Sequence, residues 1–444
     1  MPSDPPRRST TGFGRVGGVL TAEGVPLTDI AAHHGTPTYV YAGGAIVAAL
    51  EGMKAGLGPV PHRICYAVKA AGNLALLGLL ARAGAEFDAG SIGELARVLA
   101  IGVDPSRVIM SGVGKRDDEI AAAIDAGALY LGVESRSELE AIARIAQAKH
   151  KRVRISLWVN PDVDAKTHAH ISTGRAENKF GIPQEEAFEL ADWAGAQPGL
   201  KLCGVSCHIG SQVTTLEPFE DAARRMAHIA GSLQRRGLPL ACVGVGGALG
   251  ITYAEEKPPT PEQYGRVLRE ILGPLGLTLV LEPGRAIVGN AGLLLTRVVR
   301  TKRGADRDFV VVDAGMNDLI RPALYGAFHG AEAVVEGDAA PAPFELVGPV
   351  CESGDTFGRG RLLPPLAEGD LVAIRSAGAY GFTMSSNYNG RPRAAEVLVH
   401  DGQAQLVRER EALPDLWRGE RLLDGSPAPA VLPAPLRSSK KELP

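Results

Sequence analysis

The segment RICYAVKAAGNLALLGLLARAGAEFDAGSIGELARVLAIGVDPSRVIMSG (63–112) decides the predicted fold. Three short apolar runs, 63–68, 85–89 and 107–112, are separated in it by stretches with the apolar spacing of amphipathic helices. The second of these stretches opens on Ser91, and the later helical stretch SRSELEAIARIAQAKH (135–150) opens on Ser135, a residue type that favours helix N-termini. Apolar strands that alternate with helices in this way are typical of a parallel sheet.

The same alternation continues beyond this segment. Five further strand-like runs follow, and they are ALYLGV (128–133), VRISLWV (153–159), LCGVSCHI (202–209), CVGVGG (242–247) and LTLVLEP (277–283). Eight strand–helix repeats over roughly 230 residues predict an α/β fold, a (β/α)8 TIM barrel at residues 42–288. An open, doubly wound sheet is the alternative that this pattern allows.

The pattern changes after Arg285. Strand-like runs separated by turn residues, such as DFVVVDAG and DLVAIRS, occupy residues 289–424 with few helices between them. They predict a C-terminal antiparallel β domain of barrel or sandwich type, and the strand-like pieces at 10–41 are expected to join it. The Pro-, Ala-, Ser- and Lys-rich stretch at 425–444 is predicted to be a disordered tail.

The composition is that of an ordinary globular protein. The 444 residues are 45% apolar and 22% charged, with a net charge of −3. We therefore expect neither nucleic acid nor a membrane as partner, since no apolar run approaches the roughly 18 residues that span a bilayer. The five scattered cysteines favour reduced thiols and a cytoplasmic location. We expect no metal site, because the sequence has no CxxC pair and no HxxxH run.

Polar residues stand where the predicted barrel strands end, which is where such a barrel has its active site. They are Lys69, Asp88, Ser91, Asn160, Asp162, His208, Ser211, Glu282 and Arg285, with the glycine-rich GVGGALG (244–250) after the seventh strand. We therefore expect these residues to converge on one mouth.

Lys69 directly follows the first barrel strand, in YAVKA. Burial of an ammonium group at this position would lower its pKa and make the amine nucleophilic, which suits a Schiff base with a carbonyl cofactor. Taken alone, however, a lysine at a strand end is more commonly a residue that extends its ammonium group into water.

The GVGGALG loop could bind an anion through backbone N–H groups, since the loops after strands seven and eight are the usual phosphate site of this barrel. Arg285 could bind the same phosphate or a substrate carboxylate. Glu282 is placed to keep a pyridinium nitrogen protonated, and an ion pair with Arg285 is a compatible alternative. His208 could stack on a flat cofactor or be an ordinary core histidine.

The β domain contains a second cluster. Cys351 and Glu352, in GPVCESGD, predict an exposed acid pair whose thiol could donate a proton. Arg321 and Tyr325 lie four residues apart and could hold a carboxylate from one helix face. Tyr380, in a glycine-rich loop, could hydrogen-bond a phosphate. A plain surface or turn role is the alternative for each of these residues.

Six motifs in this order, YAVKA, HIGSQ, GGALG, EPGR, CESGD and AYGFTMSSNYNGRP, resemble those of the fold-type III pyridoxal-phosphate decarboxylases. That family includes ornithine and arginine decarboxylases, with alanine racemase as a more distant relative. The segments NPDVDAKTHAHISTGRAENKFGI (160–182) and DAGMNDLIRPALYGAFH (313–329) resemble the diaminopimelate decarboxylase branch in particular. The resemblance extends over nearly the whole chain.

The resemblance implies a role for each matching residue. Lys69 would carry pyridoxal 5′-phosphate, His208 would stack on its ring, and Cys351 would be the catalytic proton donor. The implied cofactor contacts are Lys69, His208, Ser211, Gly246, Gly247, Glu282, Gly284, Arg285 and Tyr380. The implied substrate contacts are Arg285, Arg321, Tyr325, Glu352 and Tyr380. Because Cys351 and Glu352 reach the partner's active site in this family, the resemblance also implies a homodimer.

The implied reaction is the decarboxylation of meso-2,6-diaminopimelate to L-lysine and CO2, the last step of lysine biosynthesis. Arg321 favours this substrate, because a simple diamino acid has no distal carboxylate. One alternative is a decarboxylase of the same fold with another substrate, of the carboxynorspermidine, ornithine or arginine type. The other is a non-catalytic homologue that binds only the cofactor, and the presence of both Lys69 and Cys351 argues against it.

Two positions depart from the family pattern. Ala248 stands where a third glycine is usual, and it would be strained if its φ were positive. Ala71 stands where asparagine is common. Both departures leave open a weaker cofactor affinity or a shifted substrate preference.

Overall fold

The computed structural model describes residues 11–163 and 179–431. Most of the selective segment 160–182 lies outside these residues, and so do residues 432–444 of the predicted tail. Within the two described ranges, no helix is both long and apolar enough to cross a membrane.

Six elements precede the barrel in the described chain. They are β1 (Phe13–Val16), β2 (Val19–Ala22), β3 (Val25–Pro26), α1 (Leu27–His34), β4 (Thr38–Ala42) and α2 (Gly43–Leu57). Strands β1 to β3 form a small antiparallel sheet of their own, whereas β4 joins the large sheet of the second domain.

Eight parallel strands close into a barrel, which confirms the predicted fold. The strands are β5 (His62–Ala67), β6 (Glu86–Ala89), β7 (Val108–Met110), β8 (Tyr130–Val133), β9 (Val153–Trp158), β10 (Leu200–Cys207), β11 (Cys242–Val245) and β12 (Thr278–Leu281). The helices between them are α3 (Leu74–Arg82), α4 (Ile92–Ala100), α5 (Asp117–Ala126), α6 (Arg136–Ala148), α7 (Gln184–Ala196), α8 (Glu217–Arg235) and α9 (Pro261–Leu272). Strand β12 pairs with β5 through Leu279 and His62, so the sheet is closed and the open alternative is excluded.

Serine side chains begin two of the barrel helices, as the sequence predicted. The Ser91 hydroxyl accepts a hydrogen bond from Glu94 N (3.3 Å) at the start of α4. Ser135 accepts one from Glu138 N (3.2 Å) at the start of α6. Each bond satisfies a helix N–H group that has no partner within its own helix.

Helix α2 supplies the helical layer beside β5 by packing on α9. A Cβ added at Gly56 of α2 would lie only 2.2 Å from Glu262 O of α9. The two helix backbones can approach this closely because Gly56 has no side chain.

The second domain is a mostly antiparallel sheet. Besides β4, its strands are β13 (Gly292–Arg303), β14 (Asp308–Val312), β15 (Ala331–Ala333), β16 (Ala342–Val347), β17 (Thr356–Leu363), β18 (Leu371–Ile374), β19 (Ala395–His400) and β20 (Gln403–Arg408). The pairings of β14 with β16 and of β4 with β19 are parallel. Two short helices, α10 (Arg285–Val288) and α11 (Arg321–Tyr325), begin at arginines that belong to the site described next.

Candidate active site

Four of the predicted functional side chains lie at the same end of the barrel. Lys69 is in a single 3-10 turn after β5, and Asp88 is near the end of β6. His208 directly follows β10, and Glu282 directly follows β12. The charge of Lys69 acts on both His208 and Glu282, and that of Asp88 acts on Lys69, so the four side chains share one mouth.

Lys69 lies inside this mouth. Its side chain is accessible to solvent, but protein groups surround its amine closely. Burial lowers the pKa of Lys69, but the acidic groups of Asp88, Tyr380 and Glu282 raise it by more, so the net shift is upward. The lowered pKa that burial alone predicts from the sequence is wrong for this environment. The acids on neighbouring strands reverse the sign.

Asp88 and Glu282 are buried acids beside Lys69, with exposed fractions of 2% and 6%. Burial raises the pKa of Glu282 well above its usual range, and Asp88 raises it further, whereas Lys69 lowers it. Oδ1 of Asp88 has no hydrogen-bond partner among the described residues. Buried carboxyl groups in this condition favour a ligand that donates a hydrogen bond or carries positive charge.

His208 presents a neutral, flat ring at the mouth. The ring is nearly parallel to that of Trp158, at 15° and with 6.3 Å between the centroids. Gly210 N donates a hydrogen bond to His208 Nδ1 (3.0 Å). Burial, with a contribution from Lys69, lowers the pKa of His208 to about 3. The ring is therefore uncharged near neutral pH and suits stacking more than proton donation.

The glycine-rich loop after β11 allows no side chain at two positions. A Cβ at Gly246 would lie 2.6 Å from His208 Cδ2, and one at Gly247 would lie 2.0 Å from Glu282 O. Ala248, at the position that departs from the family pattern, is buried and does not have a positive φ. The strain that a positive φ would have caused is therefore absent at Ala248.

Arg285 begins α10 and is only 4% exposed. Its Nη2 donates a hydrogen bond to Ser211 Oγ (3.0 Å), and its Nη1 donates one to the Tyr253 hydroxyl. The guanidinium carbon also lies 4.9 Å from the centre of the Tyr380 ring. Arg285 makes these contacts instead of the ion pair with Glu282 that the sequence allowed.

Tyr380 connects the second domain to the turn that contains Lys69. Its backbone N–H donates a hydrogen bond to Ala70 O (2.8 Å). Its φ is 57°, which is uncommon for a residue other than glycine and is typical of functional sites. Gly284 packs against the same turn, where an added Cβ would lie 2.9 Å from Ala70 Cβ.

A cavity of about 170 Å³ lies next to this cluster, and we call it the arginine cavity. Its lining residues are Gln212, Tyr253, Glu256, Arg321, Tyr325, Ala327 and Phe328. The Arg321 guanidinium lies over the rings of Tyr253 (5.3 Å) and Tyr325 (5.5 Å). The predicted pairing of Arg321 with Tyr325 on one face of a short helix is therefore present.

His329 fixes the orientation of Arg321. Arg321 Nε donates a hydrogen bond to His329 Nε2 (3.3 Å), and His329 Nδ1 bonds to Arg375 O (2.9 Å). Burial lowers the pKa of His329 to about 3, so its ring is neutral and can accept from the arginine. This arrangement holds a buried cation, Arg321, without neutralising it.

Cys351 and Glu352 stand apart from the barrel mouth. Both are exposed in the loop between β16 and β17, and the Tyr388 hydroxyl donates a hydrogen bond to Glu352 Oε2 (2.9 Å). Within the part of the chain that the structure describes, no hydrogen bond or ion pair joins either residue to the mouth.

The loop that contains Cys351 is nevertheless well fixed. The buried Asp355 carboxylate accepts hydrogen bonds from Val350 N (2.6 Å) and Met316 N (2.7 Å). Asp355 thus ties the exposed turn to the segment that leads into α11.

The site residues that were not predicted from the sequence include Tyr253, Glu256 and His329. Tyr253 and Glu256 follow the glycine-rich loop in ITYAEEKP, and that proximity was the only local signal. His329 ends the segment DAGMNDLIRPALYGAFH, eight residues after Arg321, which is not a spacing that places two side chains together in a helix.

A family model described as "Pyridoxal-dependent decarboxylase, pyridoxal binding domain" matches residues 44–289. The diaminopimelate decarboxylase of Pseudomonas aeruginosa is 52% identical over 404 residues, which cover 91% of this chain and 97% of the relative. The diaminopimelate decarboxylase of Vibrio cholerae is 47% identical over 407 residues, with coverage of 91% and 97%.

Solved structures give the same result. The diaminopimelate decarboxylase from Helicobacter pylori complexed with L-lysine has a TM-score of 0.86 and 43% identity, and the match covers 88% of this chain and 98% of that one. The enzyme from M. jannaschii in co-complex with L-lysine has a TM-score of 0.89 and 32% identity, with coverage of 94% and 99%.

Proposed function

Since the chain belongs to the diaminopimelate decarboxylase family of pyridoxal-dependent decarboxylases, we propose that it converts meso-2,6-diaminopimelate into L-lysine and CO2, the last step of lysine biosynthesis. The observation that best supports this proposal is the composition of the barrel mouth. Lys69 lies there beside two buried acids, a neutral histidine ring and a loop of glycine backbone.

The residues at the mouth fit pyridoxal 5′-phosphate. Glu282, a buried acid that forms no ion pair within the described residues, suits the ring nitrogen, because a protonated nitrogen would place a positive charge against its carboxylate. The His208 ring suits the flat face of the cofactor. The backbone of Gly246 and Gly247, with Ser211 and Arg285, suits the phosphate. Gly284 and Tyr380 would complete these contacts.

When bound, the cofactor supplies an electron sink for the electron pair that departing CO2 leaves behind. Lys69 Nζ would hold the cofactor covalently between turnovers, and Glu282 would keep a proton on the ring nitrogen. His208 would exclude water from one face of the ring. Cys351 of the partner subunit would then donate its thiol proton to the α-carbon.

Substrate orientation would depend on the arginine cavity. Arg285 and Arg321 supply buried positive charge for carboxylates, and Tyr325 and Tyr380 supply hydroxyl groups. Glu352 of the partner subunit would add a carboxylate from across the interface. Arg321 supports a substrate with a distal carboxylate over ornithine or arginine, which have none.

We propose a homodimer with shared active sites. The support is that Cys351 and Glu352 are exposed, lie on a fixed loop and are not joined to the mouth of their own chain. We also propose a cytoplasmic location, which is supported by five free cysteines, four of them buried.

Incubation of the cofactor-loaded protein with meso-2,6-diaminopimelate tests the function. We expect equal amounts of L-lysine, measured by mass spectrometry, and CO2. Lys69→Ala should lose both turnover and the absorbance of the bound cofactor, whereas Lys201→Ala, at an exposed position near the other end of the barrel, should retain them.

Two results would contradict the proposal. Turnover of ornithine, arginine or carboxynorspermidine in place of meso-2,6-diaminopimelate would assign another substrate. A wild-type protein that binds cofactor but turns over none of these compounds would be a non-catalytic homologue.

A further inference from the structure

We propose that Glu256 recognises the ammonium group at the distal end of the substrate, a role that rests on the proposed function. The distal end of a diamino dicarboxylic acid carries an ammonium group as well as a carboxylate. The site that binds it therefore needs a cation and an anion. Among the described residues that line the arginine cavity, Arg321 is the cation and Glu256 is the acid.

Glu256 has an oxygen atom available for a ligand. Its Oε2 accepts hydrogen bonds from Tyr253 N (3.0 Å) and Ala254 N (2.7 Å). Its Oε1 has no hydrogen bond among the described residues, and Glu256 forms no ion pair there. Partial burial raises the pKa of Glu256, but the backbone N–H groups lower it by more, so the carboxylate is charged at neutral pH.

The turn that contains Glu256 is fixed relative to the site. Thr252 Oγ1 donates a hydrogen bond to Glu256 O (2.8 Å), and the neighbouring Tyr253 hydroxyl accepts one from Arg285. The Glu256 carboxylate is thus held by its own backbone on one wall of the cavity. Such preorganisation reduces the ordering cost that binding would otherwise incur.

Arg321 and Glu256 line the same cavity without pairing with each other. Arg321 bonds to His329, and no ion pair between Arg321 and Glu256 occurs in the described structure. Two unpaired opposite charges on the walls of one cavity match a zwitterion, which presents both of its charges within one functional group.

Two ligands that differ only in the amino group test the assignment. L-lysine has a zwitterionic end, whereas 6-aminohexanoate has the same chain and carboxylate but no α-amino group. Calorimetric titration of the cofactor-loaded protein should show that Glu256→Gln binds L-lysine about tenfold more weakly, because a hydrogen bond to a charged group is lost. The affinity for 6-aminohexanoate should be unchanged.

Glu255→Gln is the matched control. Glu255 is exposed, and its substitution removes the same charge at the adjacent position. It should leave both affinities unchanged. Unaltered L-lysine binding by Glu256→Gln would overturn the assignment. So would an equal loss for both ligands, because that result would indicate a disturbed turn. If the wild-type protein makes no L-lysine from meso-2,6-diaminopimelate, the proposed function itself fails and the assignment fails with it.

Discussion

At Lys69, burial and charge act on the same amine in opposite directions. Burial favours the neutral amine, but the acidic groups of Asp88, Tyr380, Glu282 and Glu94 favour the ammonium ion and outweigh it. His208 and His329 have the opposite balance, because burial dominates and lowers the pKa of each to about 3. The site therefore combines a charged lysine with two uncharged histidines near neutral pH.

The two buried histidines predict how the stability of the protein depends on pH. The unfolded chain protonates each histidine near pH 6.5, whereas the folded chain does so only near pH 3. Between these values the unfolded state binds more protons, so the free energy of unfolding falls as the pH falls. The expected slope is about 1.4 kcal/mol per pH unit for each histidine. His329→Asn should make this slope shallower in denaturant titrations between pH 6.5 and 5.

His150→Asn is the control for this measurement. His150 is exposed and has a φ of 51°, which asparagine tolerates. The free energy of unfolding of His150→Asn should change with pH at the same slope as that of the wild type. An unchanged slope for His329→Asn would show that this histidine takes up its proton at the same pH in the folded and the unfolded chain.

At the scale of elements, the main chain of the loop after β11 packs so closely against its neighbours that a side chain at Gly246 or Gly247 would collide with them. The space beside Gly246 is taken by the His208 ring, and the space beside Gly247 by the main chain after β12. The loop, the histidine and Glu282 are therefore in mutual contact. A change in the loop after β10, β11 or β12 should therefore displace the other two loops.

Gly247→Ala tests this contact. A methyl group there would meet Glu282 O at 2.0 Å, and a backbone atom cannot move away by changing rotamer. Overpacking of this kind costs about 1–3 kcal/mol, so we expect cofactor affinity to fall by about tenfold or more in an absorbance titration. Gly14→Ala, with open space around it, should bind cofactor as the wild type does. Equal affinities for the two variants would mean that the loop adapts without disturbing the cofactor site.

At the scale of the whole molecule, the second domain completes the barrel mouth. Tyr380 contacts the Lys69 turn, and Arg321, which donates a hydrogen bond to His329, lines the arginine cavity. Cys351 and Glu352 belong to the same domain, are exposed, and form no hydrogen bond or ion pair with the mouth of their own chain among the described residues. In the proposed homodimer, this exposed pair would act at the barrel mouth of the partner subunit.

Mixing two inactive variants tests the shared site. Lys69→Ala and Cys351→Ala should each lose nearly all activity. Random exchange of subunits would make half of the dimers mixed, and each mixed dimer would have one intact site, so activity should recover to about a quarter of that of the wild type. Mixing either variant with itself should restore nothing. If the mixture stays inactive although mixed dimers can be isolated with two affinity tags, Lys69 and Cys351 act within one chain.

The sequence by itself determined the eight barrel strands, the two serine N-caps and the position of Lys69 after the first strand. These features depend on periodicity and on residues close together along the chain, which a sequence displays directly. Its motifs also identified the family, because they are long and occur in a particular order. Two parallel strand pairs in the second domain were not predicted, since strand direction depends on how distant segments meet.

Only the tertiary structure decided the raised pKa of Lys69, the hydrogen bonds of Arg285 to Ser211 and Tyr253, and the presence of Glu256 and Arg321 in one cavity. Each of these depends on the distance between side chains from different strands or from different domains. Electrostatic energy and hydrogen bonding change steeply with that distance. The number of residues between two groups in the sequence does not give their distance in space. Only folding of the chain brings these groups close enough to interact.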